Sequence, residues 1–405
     1  MLTLKSVWNA ITSGSQTAPI GNQNSQNSIP FIRLDRQYES IKDELLSVTD
    51  EVLKSGKLVS GKHKFDLEEY FCEYLHYKHA FAVHSGTQAL EIIAEANKLV
   101  TSYRKKESHI LLPDVSYKAT LHAFIRHGYN VTLVDVDAYG MMKWDEVKKI
   151  LEENPETIYD ICIVGLYGAK PYYNNYKEND LRFKALSTIT IRGGKVYEDG
   201  AQHWLSGRNE MSTAMAISLD PTKNLNASGN GGVIVTSYDN LADHIRAICK
   251  NGSENSIYAT QLGTNSKLSE IDCAHVLVRT KHIEAWQQRR KDIAAYYMRE
   301  FAKHDIANLC ESKEERMYAY HSVNKFAISV ENRDRLQEYL LLHGVETKIH
   351  YKQNLSRYRL AKNNCSFLEN SWQFCAHTLS LPIYPELTDG EVERITQTII
   401  NFLHK

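Results

Sequence analysis

The sequence predicts an α/β protein, a large domain on a mostly parallel sheet followed by a smaller C-terminal α+β domain. Three observations predict it. Short apolar strand candidates alternate with helical stretches from His79 to Thr236, the pattern of βα units. Beyond about residue 305 the alternation stops, and strands and helices follow in another order. The composition suits a sizeable core, with 42% hydrophobic and 24% charged residues in a chain of 405. The expected division is a flexible arm over 1–30, a large domain over 31–304 and a small domain over 305–405.

The arm is expected because Thr12 to Ser28 is rich in Ser, Asn, Gln, Thr and Gly and has no apolar periodicity. Residues 1–11 lack a continuous apolar core and a small-residue cleavage site, so they do not read as a signal peptide. The first helix starts near Asp35, where Ile41, Leu45, Val48 and Val52 recur at helical spacing. Ser55-Gly56 and Ser60-Gly61 break it, and a second helix is expected over roughly 62–76. The strands follow as His79–Val83, His109–Leu112, Val131–Val136, Ile161–Leu166, Lys195–Glu198, Met215–Leu219 and Gly232–Thr236. A long helical stretch, about 268–302, leaves this region with Ile271, Ala274, Val278 and Ile283 as its apolar stripe. In the small domain Ser322–Val330 and Glu346–His350 read as strands and Arg333–Leu342 as a helix. Thr388 with Glu391 three residues on is a capping-box signal for a last helix bearing Val392, Ile395, Ile399 and Phe402 on one face.

Charge and cysteine usage narrow the function. Lys+Arg total 48 and Asp+Glu 49, a formal net charge of −1, which gives no global reason to expect nucleic acid or a membrane surface as partner. No run approaches the roughly 18–20 apolar residues of a spanning helix. The seven cysteines, Cys72, Cys162, Cys249, Cys273, Cys310, Cys365 and Cys375, form no CxxC pair. That odd, unpatterned count argues against a disulfide framework or a zinc site and fits a reducing cytoplasm.

Four polar features sit just after strands or at a helix start, where open α/β sheets place ligands. Ser85-Gly86-Thr87 offers free backbone N–H groups, a helix dipole and a hydroxyl, which suit a phosphate or merely a helix cap. Pro113-Asp114-Val115-Ser116-Tyr117 offers an aromatic for stacking on a planar ring, or a packing tyrosine. Glu198-Asp199-Gly200-Ala201-Gln202 ends a strand on a carboxylate, which could keep a ring nitrogen protonated or cap a turn. Ser218-Leu219-Asp220-Pro221-Thr222-Lys223 places a lysine in a rigid turn before Gly229-Asn230-Gly231-Gly232. A lysine so held could form a Schiff base, although most lysines are solvated.

Their order, phosphate turn, aromatic, carboxylate, lysine, resembles the fold-type I pyridoxal-phosphate aminotransferases. More narrowly it resembles the DegT/DnrJ/EryC1/StrS family, which aminates keto-sugars carried on nucleotides. The matching stretches are Ser85 to Leu90, Glu198 to Gln202, Pro221 to Leu225, Gly231 to Thr236, Gly263 to Leu268 and Leu381 to Pro385, so the resemblance covers nearly all of the chain beyond the arm. It implies pyridoxal 5'-phosphate as cofactor and Lys223 as the Schiff-base lysine. It also implies Asp199 on the pyridinium nitrogen, Gln202 near the ring's phenolic oxygen and Tyr117 stacked on the ring. Gly86, Thr87 and Ser218 would hold the phosphate, and Asn265 would reach the neighbouring subunit's cofactor phosphate, hence a homodimer with shared active sites. A nucleotide-linked keto-sugar and glutamate, which leaves as 2-oxoglutarate, are the implied substrates.

The chain departs from the family at Asp199-Gly200-Ala201-Gln202-His203-Trp204, at Gly165, which replaces a frequent histidine, and at His350-Tyr351-Lys352-Gln353-Asn354-Leu355, which lacks the usual prolines and second histidine. Rival readings are transamination of another ketone, such as a cyclitol or an amino acid, and a non-catalytic protein on the same frame. Lys223 opposes a dehydratase, which would carry histidine there, and the lack of a GxGxxG after the first strand opposes an oxidoreductase.

Overall fold

The computed structural model describes residues 28–101, 107–171, 180–253, 258–310, 321–361 and 367–404. The expected arm over 1–30 lies almost wholly outside the described residues.

The large domain begins with two helices, α1 (Leu34–Ser55) and α2 (Lys62–Leu75), and continues as alternating strands and helices. These are β1 (His79–Val83), α3 (Gly86–Val100), β2 (His109–Pro113), α4 (Lys118–Arg126), β3 (Asn130–Val134), α5 (Trp144–Glu153), β4 (Tyr159–Val164), α6 (Leu181–Ile191), β5 (Val196–Asp199), β6 (Ala214–Ser218), β7 (Gly232–Thr236) and α7 (Asp239–Ile248). The strands form one seven-stranded sheet in the order β1-β7-β6-β5-β4-β2-β3. Pairs are parallel from β6 across to β3, and β7 runs antiparallel to both of its neighbours. All seven strands fall where the sequence places them, with ends shifted by one or two residues.

Both faces of the sheet are covered, so the strands bury side chains in both directions and read as near-continuous apolar runs. Side chains alternate between two cores at the period-2 spacing of a strand. Phe81, Val83, Ala214, Ala216 and Ile234 join the core under α3, α4 and α7. Ala80, Ala82, Met215, Ile217, Val233 and Val235 face the opposite core with Leu67, Phe71 and Cys273.

The long stretch read as one helix is two, α8 (Glu270–Thr280) and α9 (Ile283–Ala302). At the break Lys281 and His282 donate their N–H to Val278 and Arg279, a tightened last turn. His282 Nε2 is also fixed 2.7 Å from Glu44 Oε1, so the corner is held by α1 rather than by a local proline or glycine. The small domain adds β8 (Phe326–Ser329), α10 (Arg333–Leu342), α11 (Glu369–His377), β9 (Thr378–Leu381) and α12 (Asp389–Leu403). Thr388 and Glu391 cap α12 reciprocally, as the sequence indicates. Ile29 and the later turns of α9 (Ile293, Ala294, Tyr297, Phe301) pack into this domain's core. Residues 346–350 form no strand: a single bridge, Lys348 to Ser380, is all that pairs them. β9 already pairs with β8 in a two-stranded antiparallel sheet.

Two buried carboxylates at strand ends lace the small-domain segments to the large sheet. Asp114, beyond β2, accepts from Asn354 Nδ2 (2.5 Å) and from the N–H and hydroxyl of Ser356 (2.6 and 2.9 Å). Asp135, beyond β3, accepts from the N–H groups of Asn370 and Ser371 at the first turn of α11.

Candidate active site

A cavity of about 320 Å³ opens at the carboxyl ends of β1, β2, β4, β5 and β6, the edge where sheets of this kind bind ligands. The sheet brings Gly86, Thr87, Tyr117, Asp199, Gln202, Ser218 and Lys223 together around it. Asn265 is not among the lining residues; it is exposed and bridged to Lys250.

Each side chain has a local cause. The N-cap Ser85 accepts from Gln88 N at 3.1 Å and starts α3 at Gly86. The Gly86 and Thr87 N–H groups have no acceptor among the described residues and point to the helix N-terminus, a natural anion seat. The turn is packed without slack: a Cβ on Gly86 would stand 2.7 Å from Ser218 Cβ, and one on Gly232 would stand 2.4 Å from the Ser85 carbonyl carbon. These glycines let α3, β6 and β7 meet, and Ser218 Oγ lies beside the helix start. Tyr117, 54% exposed, lines the cavity.

Asp199 is buried and ends β5. Its Oδ2 accepts from Thr120 Oγ1 at 2.7 Å, and its Oδ1 from Ala201 N at 3.2 Å. Ser116 Oγ lies 2.6 Å behind Thr120 Oγ1, so the carboxylate is fixed in orientation. Lys223 sits in the turn after β6, its own N–H bonded to the Asp220 carbonyl at 2.9 Å. Burial draws its ammonium below the usual lysine range, against the opposing pull of Asp199 and Asp220. Such an amine is closer to the neutral, nucleophilic form.

Gln202 is clamped. Its Oε1 accepts from Tyr167 N at 2.6 Å and its Nε2 donates to Tyr351 Oη at 2.9 Å. Both tyrosines have positive φ, 58° and 72°, an uncommon backbone region for such residues that is held by the surrounding contacts. Gly165 explains one departure. Its N–H donates to His203 Nδ1 at 3.1 Å, and a Cβ there would stand 2.4 Å from both the His203 ring and the Ala169 carbonyl oxygen. The imidazole of His203 thus fills the space a side chain at 165 would need, while its Nε2 lies 3.2 Å from the buried Glu198.

Sequence reasoning missed one group. Lys325 lines the cavity although only 6% exposed, and its Nζ donates to the Thr222 carbonyl at 3.0 Å. Its signal was a lysine inside the apolar stretch Ser322–Val330. His350 and Tyr351 complete this wall, and burial together with Lys325, Lys223 and Lys348 pushes the His350 imidazole down to about 3.

A half-buried lysine and a buried carboxylate on one cavity at the carboxyl edge of this sheet, with a smaller α+β domain alongside, is the architecture of the fold-type I aminotransferases. The model of the DegT/DnrJ/EryC1/StrS aminotransferase family matches residues 39–400, and the chain belongs to that family. It is similar to the pleiotropic regulatory protein of Geobacillus stearothermophilus, 28% identical over 93% of this chain and 98% of that one. It is similar also to the dTDP-3-amino-3,4,6-trideoxy-alpha-D-glucose transaminase of Streptomyces venezuelae, 27% identical over 92% and 95%. Among solved structures, an aminotransferase of this family from Brucella abortus superposes with a TM-score of 0.82 at 25% identity, covering 93% of this chain and all of that one.

Proposed function

We propose that the protein is a pyridoxal-phosphate-dependent aminotransferase that converts a nucleotide-linked keto-sugar to an amino sugar with glutamate as donor. The observation that carries it is the convergence of Lys223 and Asp199 on one cavity beside a free helix N-terminus. Relatives named as transaminases of UDP- and dTDP-linked sugars support the substrate class.

The residues present fit the cofactor: unspent N–H donors and a serine hydroxyl for a phosphate, an exposed aromatic side chain for a ring, a carboxylate for a ring nitrogen and an amine for an aldehyde. Pyridoxal phosphate, when bound, supplies an electron-withdrawing ring and carries the amino group between substrates. Gly86, Thr87 and Ser218 would hold its phosphate, Tyr117 would lie against its ring, and Asp199 would keep a proton on the ring nitrogen. Gln202, its amide already oriented by Tyr167 and Tyr351, would offer its remaining N–H to the ring's phenolic oxygen. Lys223 would hold the aldehyde carbon, and its amine would serve as the base for the α-proton of the donor. Asn265, on the surface, reaches the cofactor phosphate of a second subunit in a cytoplasmic homodimer.

The test is an absorption spectrum with added pyridoxal phosphate. A band at roughly 400–430 nm should appear and move toward about 330 nm with glutamate. Lys223→Ala should lose the lysine-linked band. A wild type that takes up no cofactor overturns the reading.

A further inference from the structure

The small-domain wall of the cavity carries Lys325, which makes no ion pair among the described residues, and the exposed Lys348 stands near it. Lys325 projects from just before β8 and is buried against the turn that carries Lys223. Of its three N–H donors, one meets the Thr222 carbonyl; the other two have no acceptor among the described residues. Its Nζ stands 5.9 Å from the Phe31 ring centroid, and Lys348 Nζ stands 5.2 Å from the same ring. His350 packs on that ring too, with centroids 5.6 Å apart, and its Nδ1 is taken up by Ser380 Oγ at 2.8 Å. Ring faces attract cations, but weakly compared with a carboxylate. Two acids stand near: Asp220, whose Oδ1 accepts from the Thr222 N–H at 2.9 Å and its hydroxyl at 2.6 Å, and the exposed Glu346, whose Oε2 accepts from the Phe31 N–H at 2.9 Å.

A buried ammonium such as that of Lys325 is costly unless a counter-charge arrives. Burial drives the Lys325 ammonium well below the lysine range. Lys223, Arg290 and Lys348 push the same way, and Asp220 opposes them. The helix N-terminus at Gly86 and Thr87 belongs to another element, on the large domain, so the cavity presents two separate places for negative charge.

We propose that Lys325 is the seat of an anionic group carried by the substrate, a carboxylate or a phosphate, and so sets which substrates reach Lys223. The proposal deepens the aminotransferase reading and rests on it for the word substrate; the anion seat itself does not need it. The two sources of such a group are the carboxylates of the amino donor and the diphosphate of the sugar nucleotide.

Calorimetric titration of the cofactor-treated protein with 2-oxoglutarate and, separately, with UDP tests this on wild type, Lys325→Met and Lys325→Arg, with cofactor uptake followed by absorbance. Lys325→Met should weaken one of the two anions at least about tenfold, Lys325→Arg should restore most of it, and cofactor uptake should stay unchanged. Loss confined to 2-oxoglutarate makes the seat one for the donor's carboxylate, and loss confined to UDP makes it one for the acceptor's diphosphate. The proposal is overturned if both anions bind Lys325→Met as they bind wild type, or if neither binds wild type below about 10 mM. It is also overturned if Lys325→Met loses cofactor uptake along with both anions, since Lys325 would then only brace the Lys223 turn. A wild type that takes up no cofactor yet binds an anion through Lys325 would sink the aminotransferase reading and leave the seat standing.

Discussion

The two walls of the cavity are made in different ways. The large-domain wall is a row of strand ends fixed by contacts inside that domain: Ser85 caps α3 at Gly86, the Asp220 carbonyl holds Lys223 N, and Thr120, 79 residues earlier in the chain, orients Asp199. The small-domain wall is assembled from distant segments. Lys325 bonds to Thr222, Tyr351 to Gln202 and Ser322 Oγ to the Gln202 carbonyl at 2.7 Å. The first wall carries Asp199, Lys223 and free N–H donors; the second carries Lys325, His350 and Tyr351. The difference teaches that the chemistry is seated by contacts within the large domain, whereas what approaches it is bounded by contacts between the domains.

The sharpest way to break that division is Asp199→Asn. The amide still accepts from Thr120, so the fold should stand, but it holds a ring proton poorly. Turnover should fall by about 10²- to 10⁴-fold with little change in unfolding midpoint. Equal loss from altering the second wall alone would erase the distinction.

Next in size is Gly165→Ala. A methyl group at 2.4 Å from the Ala169 carbonyl oxygen and the His203 ring must displace one of them. A loss of about 1–3 kcal/mol in denaturant unfolding is expected. An unchanged midpoint would show that His203 moves aside freely and that this wall is less rigid than its packing indicates.

The small domain that supplies the second wall should show itself in acid. His321 and His350 are each held near 3 chiefly by burial, below the roughly 6.5 of an unfolded histidine. A depressed folded value means that the unfolded chain binds the extra protons. The stability these groups contribute is complete above about pH 6.5 and is lost as pH falls toward 3, by about 1.4 kcal/mol per pH unit for each histidine. His350→Gln should roughly halve the histidine part of that slope in equilibrium unfolding between pH 6 and 4. A slope identical to wild type would place His350 in water rather than in the wall.

Legibility in the sequence follows the same line. The seven strands, the capping box at Thr388 and seven of the eight proposed site residues lie on features whose causes are local, such as alternation, turn glycines and an N-cap, and the cavity gathers those seven. Asn265 is the exception: nothing within one subunit brings it there. The helix α11 and strand β9 had no place in the sequence reading, because the first turn of α11 is capped by Asp135, more than 200 residues earlier. The run Glu346–His350 looked like a strand by alternation, but pairing is settled by which edge is free, and β9 offers it a single bridge. Lys325 was passed over because a lysine in an apolar stretch declares its partners only when Thr222 and Phe31 are brought beside it.

The contact of Ile29 with the small domain bears on how the chain is made. Ile29 bridges to Val345, and Phe31 N donates to Glu346 at 2.9 Å, a separation of 315 residues. During synthesis the segment around Ile29 emerges early and has no seat until Val345 and its neighbours have left the ribosome. The large sheet, whose strands end at Thr236, can assemble in the interval. The last step is then closure of a very long loop, slow by its topology, and during the wait the apolar pair Ile29 and Phe31 is what a chaperone would hold.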